Sequence, residues 1–373
     1  MNDPFAQLVE LLNQLQKLAP RPEHIREREN RIIYRNLPEG QEMVNDALEG
    51  LEEEVIDEEW EWQAEHEVRD FRATSPGPIV AVDSGIIRLG ETQDGLIIAL
   101  RGCAAILDQQ GQMELKLFRS GPIYLRNRDK PEILFLMGQQ LGKEDFFVEI
   151  DEEANPPRKK LKPHVAAWDS HQYGDRFRNW FERLIQLASV SLVNNGIILL
   201  DGALTLRTRD TPQVFLERLA QLASDHGNAI IAISKQSKLQ VDGTPLTFLL
   251  DDYPGRVCYR PISPLLRQQD PHRAERVLGN IYVARLSPIG PCFRIDVKPT
   301  RGQSDHEALN QFFASCFMRA GYPDILVRAH VHSYFTPADV LELQAQIGNQ
   351  YGLKPRGDVD LSTIFTPFGG RFK

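Results

Sequence analysis

Residues 78–87 place an aspartate in the middle of an apolar run. Apolar residues precede and follow Asp83, so the pattern predicts a buried strand that carries a carboxylate. Such a carboxylate is costly unless it meets a cation, a hydrogen-bond donor or a metal. Two interpretations are open on this stretch alone. Either Asp83-Ser84-Gly85 is a turn between two hairpin strands, or Asp83 is a metal ligand at the centre of a sheet.

A second apolar stretch, residues 196–204, also carries a carboxylate where its strand ends. Asp201 follows four apolar residues and is followed at once by Gly202. Two aspartates at strand ends are hard oxygen ligands that a sheet can bring to one edge, and they suit Mg²⁺ or Mn²⁺. Cleavage of polynucleotides by two metal ions uses this arrangement. The second stretch therefore favours the metal interpretation.

The acidity of the chain is local. Its formal net charge is -9, but residues 39–70 hold fourteen acids against one base, Arg69, a surplus of thirteen negative charges that leaves +4 for the rest. A net negative charge therefore does not exclude a basic groove elsewhere on the molecule.

The composition indicates a globular protein without export or membrane signals. The 373 residues, of which 42% are hydrophobic, suffice for one large domain with appendages or two modest ones. No signal segment and no long apolar run is present, so we expect a cytoplasmic protein. The cysteines stand singly, which argues against a zinc knuckle or a disulfide framework; they are Cys103, Cys258, Cys292 and Cys316.

Hydrophobic periodicity predicts an α/β chain in three parts. We expect a helical, acidic N-terminal arm over residues 1–75, a domain large enough to be a catalytic domain over 76–350, and a C-terminal tail over 351–373. An exposed insertion is expected near 143–165. Strands are predicted at 79–83, 86–89, 95–105, 112–118, 196–201, 229–233, 246–250, 257–259, 280–286 and 292–297. Helices are predicted at 4–19, 175–192 and 212–226, from a capping box at Ser304 to Gly321, and from Thr336 onwards.

In two of these helices the sequence leaves open which surface covers certain residues. The leucines of residues 4–19 form a stripe that packs either on the chain's own core or on a dimer or protein partner. In the helix 175–192, Glu182 lies at the margin of the apolar stripe, so the pattern predicts a boundary or exposed glutamate.

Five short motifs together resemble the NurA nuclease family over about residues 78–345. They are Asp83 in AVDSG, Asp201 in ILLDGAL, the helix carrying Glu182 nineteen residues earlier, Lys235 in ISK, and GYPDILVRAH, which ends at His330. At the first aspartate the family often has Asp-Gly-Ser, where this chain has Asp83-Ser84-Gly85. At the second it often has Asp-Gly-Ser-Leu, where this chain has Asp201-Gly202-Ala203-Leu204.

The resemblance implies a ribonuclease H-like mixed sheet flanked by helices. It also implies a manganese- or magnesium-dependent deoxyribonuclease with two ions, a homodimer, and a HerA-type translocase as partner in DNA end processing and repair. Such a nuclease acts on single-stranded DNA and DNA ends.

The resemblance also implies roles for individual residues. Asp83, Glu182 and Asp201 match the metal-binding carboxylates, and His330 matches a histidine that coordinates metal or relays a proton. A tyrosine belongs to the family's site; Tyr282 is the expected one and Tyr259 stays open. Cations near the second aspartate are expected to hold the DNA backbone without reading sequence; they are Arg207, Arg209, Lys235 and Lys238.

Two other function classes remain open on the sequence. The departures beside both aspartates permit a catalytically silent ribonuclease H-like module that binds DNA or docks a motor. A metal phosphohydrolase acting on a small substrate is the third interpretation, and a closed pocket would support it.

Overall fold

The computed structural model describes most of the chain between residues 67 and 351. The described residues are 4–18, 31–32, 67–91, 95–154, 157–166, 168, 170–206, 213–235, 237, 239–241, 244–269, 272, 275–351 and 354–355. The acidic stretch up to residue 66, the tail beyond 355 and the side chains of Arg207, Arg209 and Lys238 lie outside them.

Helices and strands alternate along these residues. The helices are α1 (Pro4–Leu18), α2 (Lys130–Leu141), α3 (Pro163–Ala166), α4 (Ser170–Ser189), α5 (Gln213–Asp225), α6 (Ser263–Gln269), α7 (Asp305–Ser315), α8 (Asp324–Ser333) and α9 (Pro337–Tyr351). The strands are β1 (Arg31–Ile32), β2 (Arg69–Asp70), β3 (Ile79–Glu91), β4 (Gly95–Leu107), β5 (Met113–Arg119), β6 (Ile123–Arg126), β7 (Val148–Asp151), β8 (Arg158–Leu161), β9 (Ile197–Asp201), β10 (Ala229–Ser234), β11 (Gln240–Val241), β12 (Thr244–Pro245), β13 (Cys258–Pro261), β14 (Asn280–Arg285), β15 (Cys292–Lys298), β16 (Met318–Arg319), β17 (Tyr322–Pro323) and β18 (Lys354–Pro355).

A ten-stranded mixed sheet organises the molecule. Its order is β2-β13-β14-β15-β10-β9-β3-β4-β5, and β6 also pairs with β4. Strands β3, β4 and β5 form an antiparallel meander, β9 runs parallel to β3, and β10 runs parallel to β9. This architecture, a mixed sheet flanked by helices, confirms the expected α/β fold class.

Strand β3 runs without interruption through the central aspartate. The turn interpretation of Asp83-Ser84-Gly85 is wrong, because all three residues pair with β4 in one antiparallel ladder. The two strands predicted at 79–83 and 86–89 are therefore a single strand. Pairing with a thirteen-residue partner outweighs the local turn preference of Ser-Gly.

The two faces of the sheet bury separate cores. Val80 and Val82 face a cluster that includes the apolar sides of α1, α2, α4 and α5. Ile79 and Ala81 face the opposite cluster, which α7 and α8 cover. Because side chains alternate along a strand, Ser84 belongs to the α4 face.

Glycines let a helix approach the sheet closely on each face. A Cβ at Gly85 would lie 2.4 Å from the backbone oxygen of Ser333 in α8. A Cβ at Gly102, which pairs with Ser84, would lie 2.1 Å from Cδ1 of Ile185 in α4. Both helices therefore contact the sheet at the level of Ser84, directly beside Asp83.

The N-terminal leucines pack on the chain's own core. Leu8, Leu11, Leu12 and Leu15 are buried in the same cluster as Trp180. This is the intramolecular alternative, so these leucines are not a free docking surface. No helix in the described ranges is long and apolar enough to cross a membrane.

Several local predictions are corrected by the structure. Part of the expected loop near 143–165 is the hairpin β7–β8, followed by α3. The strand expected at 246–250 is a 3-10 helix, Leu246–Phe248. The helix that opens with the Ser304 capping box ends at Ser315, six residues before Gly321.

We expect Gly85→Ala and Gly102→Ala each to create a steric clash, of which only the clash at Gly102 can be relieved by shortening a side chain. The first places a methyl group against a backbone oxygen, so α8 must shift, and overpacking of this kind costs about 1–3 kcal/mol. The second meets the end of a side chain that Ile185→Val removes. Denaturant unfolding should show that Gly102→Ala combined with Ile185→Val costs less than the sum of the single changes. If the unfolding free-energy changes of the two single variants simply added in the double variant, this account of the close approach would be contradicted.

Candidate active site

The parallel pairing of β3 with β9 brings the two aspartates side by side. Val82 pairs with Leu200, so Asp83 and Asp201 occupy the next position on neighbouring strands. Both continue the row of Ile79, Ala81, Ile197 and Leu199, and therefore lie on the α8 face. Neighbouring strands are about 4.8 Å apart, which places the two carboxyl groups within reach of one ligand.

Three donors surround Asp83, which is 9% exposed. Its Oδ1 accepts the backbone N–H of Ser84 at 2.7 Å. Its Oδ2 lies 2.7 Å from Nδ1 of His330 and 3.3 Å from Oγ of Ser333, both on α8. The close approach of α8 at Gly85 is what allows both side chains to reach the strand.

The imidazole of His330 takes up a proton more readily than the side chain of a free histidine. The hydrogen bond that the imidazole donates to Asp83 raises the pKa of His330, and this effect exceeds the opposing effect of burial. The side chain is nevertheless 45% exposed. An exposed, acid-paired imidazole can exchange a proton with a bound substrate.

Asp201 has a cation and a phenol beside it. Nζ of Lys235, just after β10, lies 2.7 Å from its Oδ2 and 5.0 Å from the ring centre of Tyr322. Burial, and then the charge of Asp201, raise the pKa of Tyr322, so its hydroxyl stays protonated. The interaction of this hydroxyl with the carboxylate of Asp201 raises the same pKa further.

Glu182 approaches from the opposite face of the sheet. Its Oε2 accepts the hydroxyl of Ser84 at 2.9 Å and lies 3.6 Å from Nη1 of Arg178; its Oε1 accepts Nε2 of Gln186 at 3.3 Å. Burial, and then the charge of Asp83, raise the pKa of Glu182 to about 7, against the effect of the nearby arginines.

The pattern-based prediction of a boundary or exposed Glu182 is wrong, since the residue is only 8% exposed. Helical periodicity places it at the edge of the apolar stripe, but α4 lies so close to the sheet at Gly102 that this edge is covered as well. The resemblance, by contrast, named the residue that the structure places next to Ser84.

The tyrosine near the aspartates is Tyr322, not Tyr282. Tyr282 lies on β14, which β15 and β10 separate from β9, and its hydroxyl donates to Asp305 at 2.8 Å. Tyr259, the other option, is on β13 beyond it and packs against Tyr282. The signal that could have found Tyr322 is its position in the same GYPDILVRAH run that ends at His330.

The other predicted residues divide into one that converges on the site and three that are not described. Lys235 lies at Asp201 itself rather than along a separate groove. Arg207, Arg209 and Lys238 are outside the described residues.

The chemistry of this donor set fits a divalent cation. Asp83, Asp201 and Glu182 supply hard oxygens, and burial, followed by the charge of Asp83, raises the pKa of Glu182. In the described ranges, no three histidine, cysteine or acidic side chains are gathered closely enough to hold a metal ion as they stand. A bound cation would therefore require side-chain rearrangement, starting with displacement of Lys235 from Asp201.

Neither a protein-family model nor a curated protein matches the sequence. Similar solved structures include the NurA nuclease from Sulfolobus solfataricus, with 15% identity, a TM-score of 0.44 and coverage of 76% of this chain and 87% of that chain. The catalytic domain of human Endonuclease V has 16% identity, a TM-score of 0.36 and coverage of 78% and 93%. A NurA bound to dAMP and manganese has 9% identity, a TM-score of 0.34 and coverage of 72% and 87%.

The NurA nucleases, which the sequence motifs resemble, are thus among the structures similar to this chain. Activity does not follow from a likeness of this size.

We expect Glu182→Gln to stabilise the protein at alkaline pH. The carboxyl titrates near 4.5 when unfolded and near 7 when folded, so ionisation of Glu182 lowers stability progressively as pH rises from 4.5 to 7. The amide removes that penalty, which amounts to about 1–3 kcal/mol above pH 7. Denaturant unfolding with chelator at pH 5 and pH 8.5 measures it.

The matched control is Glu217→Gln on α5, an exposed glutamate that accepts a hydrogen bond from Gln213. The change in stability that this substitution causes at each pH is the baseline for Glu182→Gln. If Glu182→Gln behaved in the same way as this control, the raised pKa of Glu182 would be contradicted.

Proposed function

We propose that this protein is a divalent-metal-dependent deoxyribonuclease that hydrolyses phosphodiester bonds in single-stranded DNA and at DNA ends. The observation that carries the proposal is the placement of Asp83 and Asp201 at one level of two parallel strands, with Lys235, His330 and Tyr322 around them. This set combines anionic oxygens for a cation with cationic and neutral donors for a phosphate.

Asp83 and Asp201 are the residues that would hold the metal, with Glu182 and His330 as the further ligands that the resemblance implies. We infer Mn²⁺ or Mg²⁺, and two ions, from the hard oxygen donors and the resemblance. A divalent cation in such a site lowers the pKa of a water and neutralises charge on the leaving oxygen.

The chain's own side chains supply the remaining chemistry. Once free of Asp201, Lys235 can pair with a non-bridging oxygen of the phosphate, where negative charge increases in the transition state. His330, which is half exposed, can protonate the leaving oxygen when its imidazole is charged, or accept a proton from water when it is neutral. The protonated hydroxyl of Tyr322, which lies beside Asp201, can donate to a phosphate oxygen.

Partners and cellular role are proposed from the sequence resemblance. They comprise a homodimer, a HerA-type translocase, and DNA end processing in repair in the cytoplasm. Because the leucines of α1 are buried in the chain's own core, a dimer or motor contact must use another surface. Light scattering and pull-down with a HerA-type translocase test these two assignments.

A catalytically silent module that binds DNA is the second candidate. The contacts that compensate both aspartates favour it, because Lys235 and His330 already neutralise the groups that a cation needs. Cleavage of single-stranded DNA that depends on Mn²⁺ would exclude it. DNA binding without cleavage under all divalent ions would establish it.

We expect Asp83→Asn and Asp201→Asn each to abolish cleavage and to leave DNA affinity nearly intact. The amide keeps the size of the side chain but removes the charge that binds a hard cation. Cleavage of labelled single-stranded DNA with Mn²⁺, together with circular dichroism, measures both properties.

Asp225→Asn is the matched control, since Asp225 is an exposed aspartate at the end of α5 that accepts a hydrogen bond from Gln221. This variant should cleave single-stranded DNA at the same rate as the unsubstituted protein. Full activity of either site variant would remove the metal assignment from these residues.

We expect Lys235→Ala to weaken DNA binding in a salt-dependent but sequence-independent way. The logarithm of affinity for single strands falls with the logarithm of salt concentration by about 0.7 per phosphate neutralised, so losing one contact should flatten the slope by roughly that amount. Lys235→Arg, which keeps the charge, should retain the slope. Titration of two unrelated strands over a salt series is the measurement, and an unchanged slope in the alanine variant would show that Lys235 does not contact the backbone.

A further inference from the structure

A buried ion pair lies two strands away from Asp201 and has no role in the chemistry proposed above. Nε and Nη2 of Arg294 donate to the two oxygens of Asp296 at 2.7 and 2.8 Å, and the side chains are 3% and 0% exposed. Both residues are on β15, next to Ser234 and Ala232 of β10. A pair buried this deeply loses the hydration of both charges, so hydrophobic residues of the same size would often serve stability as well.

The second contact of Asp296 shows what the pair holds. Its Oδ2 also accepts the backbone N–H of Leu204 at 2.9 Å, and Leu204 is the third residue after Asp201. Leu204 is fully buried, so this N–H would have no water to replace the carboxylate. The carboxylate of Asp296 is therefore the buried side-chain restraint on the chain after β9, beside the backbone hydrogen bond that the N–H of Leu278 donates to the oxygen of Leu204.

The chain between Asp201 and Leu204 crosses the end of β10 under further restraints. The N–H of Gly202, whose φ is +121°, donates to the oxygen of Ile233 at 2.9 Å. Ser234 Oγ donates to the oxygen of Gly202 at 2.8 Å. The glycine conformation allows the sharp exit, and Asp296 holds its far end.

We propose that Arg294 and Asp296 form a positioning pair that fixes this exit and thereby keeps the carboxyl group of Asp201 level with Asp83. Asp296 holds the loop through Leu204, and Arg294 orients Asp296 with two hydrogen bonds. The inference rests on the proposed function, since it assigns the pair to the metal-binding aspartate. Residues that orient ligands in this way typically change metal affinity 10–100-fold when they are lost.

Two double variants of the full chain separate this role from simple burial. Arg294→Met with Asp296→Asn removes both charges and keeps an oxygen that can accept the N–H of Leu204. Arg294→Met with Asp296→Leu removes that acceptor too. We expect the first to bind Mn²⁺ within a few-fold of the parent and the second to bind it about 10–100-fold more weakly. Electron paramagnetic resonance of free Mn²⁺ measures the affinity without DNA.

Cleavage kinetics and a remote control complete the test. The variant with leucine should lose kcat and keep KM for single-stranded DNA, because the loop positions a ligand and does not bind the strand. Arg126→Met with Asp129→Leu removes a mostly buried pair on the far part of the sheet, beside Gly95 of β4, and should leave Mn²⁺ affinity unchanged. Should the variant with leucine fail to fold, Ser234→Ala loosens the same loop at Gly202 and should weaken Mn²⁺ binding in the same direction.

Equal Mn²⁺ affinity and kcat in the two double variants would overturn the positioning role, as would parental affinity in Ser234→Ala where that variant is the substitute. A parent that neither binds Mn²⁺ nor cleaves DNA would overturn the proposed function, and this inference with it. The two failures are thus distinguishable in the parent protein alone.

Discussion

The register between β3 and β9 is the constraint on which the site depends. Both strands are buried on both faces, so their apolar side chains specify the pairing in which Val82 meets Leu200. A slip of one residue would send one aspartate to the other face of the sheet. Hydrophobic packing along the strands therefore places two like charges side by side. Neither strand could bury its carboxyl group at this position without the donors that surrounding elements supply.

Those donors reach the aspartates because two helices lie unusually close to the sheet. Gly85 admits α8, which carries the imidazole that contacts Asp83, and Gly102 admits α4, which carries Glu182. The absence of two Cβ atoms thus brings charged groups to opposite faces of one strand. Lys235 completes the balance at the neighbouring strand. Burial of Glu182, and then the charge of Asp83, raise the pKa of Glu182 to about 7.

This balance explains why the same residues support both a nuclease and a silent binding module. Lys235 and His330 contact the aspartates in this structure, and in the proposed nuclease Lys235 would become available to a phosphate if a cation took its place at Asp201. Behind the site, the N–H groups of Gly202 and Leu204 donate hydrogen bonds that tie the chain leaving β9 to two separate strands. A site that exchanges partners needs such a fixed frame, because its geometry must survive the exchange.

The sequence by itself determined the features that depend on neighbouring residues. It predicted the apolar strands that carry Asp83 and Asp201, the α/β alternation, and the capping box at Ser304, because periodicity and capping are local. The tertiary structure decided the rest. Glu182 is buried because a glycine on another strand brings α4 close, and Tyr322 rather than Tyr282 reaches Asp201 because the strand order separates β14 from β9. Burial and convergence depend on residues far apart in the chain, which no local pattern contains.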